Sequence, residues 1–296
     1  MFDVRRATFY VVGPRNVERR TSLKREAAAA VAIPLVLAIL FFTPPIVFDA
    51  LVAAVVLAAL WEFYRLAEKM GHPVAKTVGM LAGLFCIPMA LLGSGSDIYI
   101  LDVYIMTGRL WLGAVILFAF LSSIAPLFAS VPPSEALGGS ASTLFGVFLI
   151  ALPATAMCSL RGFSPRAVLF LFLIVWGCDS FAYYTGKNFG RRKLAPVVSP
   201  NKTWEGTIGG FVGATIIGAA AGTWGVLPEL GPVRGALAGA LASSAGQIGD
   251  LVESLWKRGA GVKDSGVFLP GHGGFYDRID SLLFAGPVVA AFVAGL

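Results

Sequence analysis

Residues 263–280, KDSGVFLPGHGGFYDRID, gather Asp264, Asp277, Asp280, Lys263, Arg278 and His272 into one short segment between two apolar runs. Asp250 precedes it, so four carboxylates are available as oxygen ligands. Hard cations such as Mg²⁺ take carboxylates and usually keep waters and substrate phosphates as further ligands. Lys257, Arg258, Lys263 and Arg278 supply the positive charge that a di- or triphosphate needs. The turn 270-PGHGG-274 lets backbone approach a ligand closely, because glycine carries no side chain. His272 taken alone suits a hydrogen-bonded structural role better than a catalytic one.

Two upstream segments carry related chemistry. In 243-SSAGQIGDLVESLWKR-258, Ser243, Gln247, Asp250, Ser254 and Lys257 recur at helical spacing and fall on one face. In 174-IVWGCDSFAYYTGKNFG-190, Asp179 ends an apolar run. The loop 199-SPNKTWEG-206 brings Lys202 and Thr203 to a helix start, where free N–H groups favour anions. Capping explains Thr203 and Glu205 as readily as ligand binding does. Carboxylates and cations together point to metal-assisted phosphoryl or nucleotidyl transfer. GxxxxGK[ST], GxGxxG and GxSxG are absent, and Cys86, Cys158 and Cys178 lie in apolar runs without metal-ligand spacing.

The elements that position these residues are apolar. The chain is 57% hydrophobic and 14% charged, with mean hydropathy +0.79. Soluble domains carry roughly a quarter charged residues, so the composition predicts an all-α, polytopic integral membrane helix bundle. Apolar runs fall near 27–43, 46–64, 77–93, 109–129, 141–160, 166–185, 206–227, 233–256 and 279–296. Each approaches the ~20 residues that cross a bilayer, which gives about nine transmembrane helices. The segment 97–106, with two acids, reads as a short interfacial piece or part of a neighbouring span.

Residues 1–26 form a basic arm, 27–160 a scaffold, and 161–296 the region that holds the chemistry. No signal peptide is apparent, because the first residues are polar and basic. If the arm is cytoplasmic, the basic loops 65–76, 186–205 and 257–278 all return to the cytoplasm. The small residues of 206–239, recurring every fourth position, predict close helix contacts, within one chain or across a homodimer.

The run 254-SLWKRGAGVKDSGVFLPGHGGFYDRID-280 closely resembles the signature of the phosphatidate cytidylyltransferases (CDP-diacylglycerol synthases). That pattern is met by Ser254, Lys257, Arg258, Lys263, Asp264, Pro270, His272, Gly273, Gly274, Asp277, Arg278 and Asp280. The segments 179-DSFAYYTGKNFG-190 and 199-SPNKTWEG-206 resemble a second conserved region of the family, so the likeness covers about 175–296.

The resemblance implies CTP and phosphatidate as substrates, CDP-diacylglycerol and diphosphate as products, and Mg²⁺ as cofactor, with K⁺ as a candidate second ion. It implies Asp250 and Asp277 as metal ligands, with Asp264, Asp280, Lys263 and His272 completing the catalytic set. Lys202, Thr203, Lys257, Arg258, Arg278, Asp179, Ser254, Gly273 and Gly274 would line the substrates. The partners expected are the two substrates and the bilayer, not nucleic acid. The expected location is the inner (plasma) membrane, with the site cytoplasmic. The alternatives are a cytidylyltransferase acting on another lipid phosphate, such as an archaeal ether lipid, and more distantly an ion-coupled transporter, which would spread its charges through mid-membrane.

Overall fold

The computed structural model describes residues 33–92, 100–129, 131–223, 225–266 and 273–296. The basic arm and the turn residues through His272 lie outside these. The described chain is mostly helical: α1 (Ile33–Phe42), α2 (Pro45–Lys69), α3 (Lys76–Leu92), α4 (Ile100–Phe128), α5 (Pro133–Gly146), α6 (Leu152–Phe163), α7 (Pro165–Phe189), α8 (Trp204–Ala221), α9 (Gly231–Gly259) and α10 (Tyr276–Ala294). Residues 100–106, read as an interfacial piece, are continuous with the apolar run of α4.

Helices α5 and α6 form one rod, joined by a π-helical stretch at Val147–Ala151. Pro153 follows it and has no N–H to donate, so a regular ladder cannot run through this point. The slipped bond runs instead from Leu152 N–H to Val147 O.

Among the described residues, α2, the α5–α6 rod and α7 are long and apolar enough to cross a membrane. Three shorter apolar stretches lie at Ile33–Phe42, Lys76–Ile87 and Leu112–Phe128. The helical, membrane-compatible architecture agrees with the sequence. A small antiparallel hairpin, which the sequence did not indicate, interrupts the otherwise helical chain. Its strands are β1 (Lys193–Ala195) and β2 (Ser199–Thr203). Helix α7 ends at Phe189, where Gly190 turns extended, and Pro196 and Pro200 keep the following segment from resuming a helix.

Helices α7, α8, α9 and α10 pack side by side. The small-residue spacing does what it predicts: a Cβ on Gly235 or Gly239 would strike the Gly218 or Ala214 carbonyl of α8. The three basic loops converge at one end of the bundle. Arg258 Nε donates to Val198 O across the loops after α9 and α7 (3.2 Å). A Cβ on Gly259 would approach Met70 Sδ, just past α2, to 2.9 Å.

Candidate active site

Helix α9 presents the stripe that its spacing predicts. Gln247 Nε2 donates to Thr207 O of α8 (3.4 Å), and Ser254 Oγ donates to Asp250 Oδ1 (3.4 Å). Asp250 Oδ2 pairs with Lys202 Nζ of β2 at 2.6 Å. Lys202 reaches α9 because the hairpin folds back over that end of the bundle. The hairpin is in turn held to the start of α8. Glu205 accepts the backbone N–H groups of Arg191 and Arg192 (3.0 and 3.2 Å), and Trp204 N–H donates to Arg192 O. The Arg191 amide leads in holding the Glu205 carboxyl below its usual range. Thr203 caps α8, its Oγ1 accepting Gly206 N–H at 3.2 Å. This is the capping role that the sequence left open.

One turn along α9 stands Glu253, 1% exposed. Its Oε2 pairs with Lys257 Nζ at 2.5 Å, and Lys257 also reaches Asp277 Oδ1 of α10 at 2.6 Å. Burial disfavours the Lys257 ammonium, but Glu253 and Asp277 outweigh it and raise its pKa above the ordinary value. Asp277 Oδ2 accepts Ser265 N–H (3.0 Å), Ser265 Oγ–H (2.9 Å) and Gly274 N–H (2.7 Å). Burial pushes the Asp277 carboxyl up, but Glu253, Lys257 and the Gly274 amide prevail and hold it well below the usual range.

Gly273 supplies the left-handed turn (φ 77°) that aims the Gly274 amide at Asp277. Gly273 and Gly274 thus shape the entry to α10. Asp280 follows, with its Oδ1 accepting Ser281 N–H at 2.6 Å.

Asp250, Glu253 and Asp280 form a set whose candidate ligand oxygens all lie within 4.8 Å of one another. Asp179 of α7 is close enough for its charge to act on Asp250, Lys202 and Asp280. The sequence reading named Asp250 and Asp277 as the metal pair. The geometry groups Asp280 and Glu253 with Asp250, whereas Asp277 stands beside them, engaged by Lys257 and three donors. Arg258 braces the loops through Val198 O and Val262 O (3.0 Å for the latter). Lys263, Asp264 and Arg278 are exposed around this end of the bundle.

Glu253 and Ser265 were not among the sequence-derived site residues. Glu253 was findable, since it falls three residues after Asp250 and four before Lys257. Nothing in the sequence distinguishes Ser265.

The fold is a helical bundle with helices apolar enough to cross a membrane and an acidic cluster at its charged end, and comparison with known proteins supplies the class. Residues 23–296 match the model of the cytidylyltransferase family, and the chain belongs to that family. It is therefore a nucleotidyltransferase. The phosphatidate cytidylyltransferase of Pseudomonas aeruginosa is 36% identical over 281 residues, covering 91% of this chain and 96% of that protein. That of Haemophilus influenzae is 33% identical over 283 residues, with 91% and 97% covered. That of Synechocystis is 32% identical over 273 residues, with 83% and 88% covered.

Proposed function

We propose that the chain transfers a cytidylyl group from CTP to phosphatidate, giving CDP-diacylglycerol and diphosphate for phospholipid synthesis. The observation that carries this reading is the convergence of Asp250, Glu253 and Asp280 with Lys202 and Lys257 at the bundle end where the basic loops meet. One phosphatidate oxygen forms a bond to the α-phosphorus of CTP, and the bond from that phosphorus to the bridging oxygen of diphosphate breaks. Phosphatidate, with a second pKa of about 6, is largely dianionic near neutral pH and needs no strong base. The task left to the protein is to bring two anions into line.

The residues present fit a divalent metal. Three carboxylates share one small volume, and Glu253 Oε1 is buried without a hydrogen-bond partner among the described residues. Asp250, Asp280 and Glu253 would hold Mg²⁺, with Asp277 next to them and K⁺ a candidate for a neighbouring position. Bound there, Mg²⁺ would neutralise phosphate charge. Lys202 and Lys257 now carry the countercharge for these acids. Lys202, half-exposed on its hairpin, is placed to move from Asp250 to a substrate phosphate. Lys263 and Arg278 are exposed for the same use, while Lys257 and Arg258 hold the wall in shape. Asp264 is exposed beside this end of the bundle, and His272 lies outside the described residues.

The chain would cross the inner membrane about nine times with the site cytoplasmic, so that the acyl tails stay in lipid while the headgroup meets CTP. A homodimer through the small-residue faces belongs to the same reading. The test is product formation by the purified protein with CTP, ATP, GTP or UTP as donor. CDP-diacylglycerol from CTP supports the reading, and a preference for another nucleotide or lipid phosphate overturns it.

A further inference from the structure

The scaffold holds a carboxylate that the chemistry above leaves unexplained. Glu62 lies on α2, 6% exposed, in a helix apolar enough to cross a membrane. A carboxylate so placed is costly unless hydrogen-bond donors replace water. Its donors among the described residues come from the far end of the chain. Oε2 accepts Tyr276 N–H at 2.9 Å and lies 2.9 Å from Ser265 Oγ, and Oε1 accepts Phe275 N–H at 3.1 Å.

Those two amides open α10, where the first N–H groups have no partner within the helix. The N-cap residue Phe275 provides no side-chain bond to them. A residue of α2 therefore caps α10 from another element. The same Ser265 hydroxyl lies 2.9 Å from Asp277 Oδ2. A hydroxyl has one proton to donate, so Ser265 is held between the two carboxylates. A side chain at Gly266 or Gly274 would overlap the Glu62 carboxylate, so the loop is shaped around it.

We infer that Glu62 is a positioning residue for the transfer. It fixes the first turn of α10 and Ser265, and through them the direction in which Asp277 meets Lys257 and Asp280 faces Asp250. Apolar packing holds α10 in place independently of this charge. Tyr276 is buried against Phe63, ring edge to face at 6.2 Å. Loss of Glu62 should therefore loosen the first turn without dislodging the helix. The effect on turnover rests on the cytidylyl-transfer reading; the capping geometry does not.

The test uses the full chain in lipid nanodiscs and compares wild type, Glu62→Gln, Ser265→Ala and the double variant. Glu62→Gln should lower kcat roughly 10- to 100-fold at a near-constant KM for CTP, since misplacement by about 1 Å costs on the order of 10²-fold. Its unfolding midpoint should stay near wild type, while amide exchange at Phe275 and Tyr276 accelerates. The double variant should be little worse than the worse single one, because residues of one network are not additive. Wild-type kcat, full additivity, or unchanged exchange at those two amides in Glu62→Gln would each overturn the inference. Should Glu62→Gln fail to fold, Glu62→Asp keeps the charge but shortens the reach. It should fold and still lose kcat, and wild-type kcat there overturns the proposal as well. If the wild type itself makes no CDP-diacylglycerol, the functional reading fails, and the exchange measurement still decides the cap.

Discussion

Lys257 of α9 and Asp277 of α10 meet at 2.6 Å, and this largely buried ion pair fastens together the two helices that carry the acidic cluster. Removing one partner from a buried pair costs about 3–5 kcal/mol, an upper bound for Asp277 because Lys257 keeps its pair with Glu253. Asp277→Asn also weakens the contacts to Ser265 and Gly274. We predict that it lowers the unfolding midpoint and cuts turnover at least about 100-fold. Thermal unfolding and product formation on the same preparation measure both effects.

Asp250 should behave differently. Its pair with Lys202 is partly exposed, and such pairs contribute only about 0–1 kcal/mol. Asp250→Asn should therefore leave the unfolding midpoint close to wild type and abolish turnover, or demand far more Mg²⁺ for what remains. A Mg²⁺ titration of activity beside an unfolding curve checks this, and a fully active variant would remove Asp250 from the site.

The Lys257–Asp277 pair also sets a pH window. The Asp277 pKa is depressed below its ordinary 3.8, so its contribution is present above that value and fades as pH falls through the lower folded value. The Lys257 pKa is raised above its ordinary 10.5, so its contribution is present below that value and fades as pH rises through the higher folded one. The stability difference between wild type and Asp277→Asn should shrink as pH falls below about 3.8. Unfolding midpoints of the two proteins across that acid range check the sign, and a difference that grew there would contradict the assignment.

Glu205 latches the hairpin that carries Lys202. Glu205→Gln keeps the size of the side chain but cannot accept both Arg191 and Arg192 amides as strongly. Faster amide exchange at 191–192 and a raised KM for CTP, with little change in the unfolding midpoint, are expected.

The apolar helices were legible because a membrane span must satisfy its backbone internally and so leaves a long uniform signature. The α9 stripe was legible for a similar reason, since its spacing repeats. The hairpin was not, because two prolines show where a helix stops and not what replaces it. The pairing of acids was also hidden: spacing puts Asp250 and Glu253 on one helix but cannot say that Asp280 joins them while Asp277 turns to Lys257. Glu62 left a faint trace as an acid within an apolar run, though its partners lie some two hundred residues away.

The most direct test of the central claim is CDP-diacylglycerol formation from CTP and phosphatidate by the purified chain, with Mg²⁺ present and then chelated. The account predicts product that disappears on chelation, returns with added Mg²⁺, and for Asp250→Asn is absent or returns only at far higher Mg²⁺. Product that persists without divalent metal, or that Asp250→Asn forms at the wild-type rate, would contradict it.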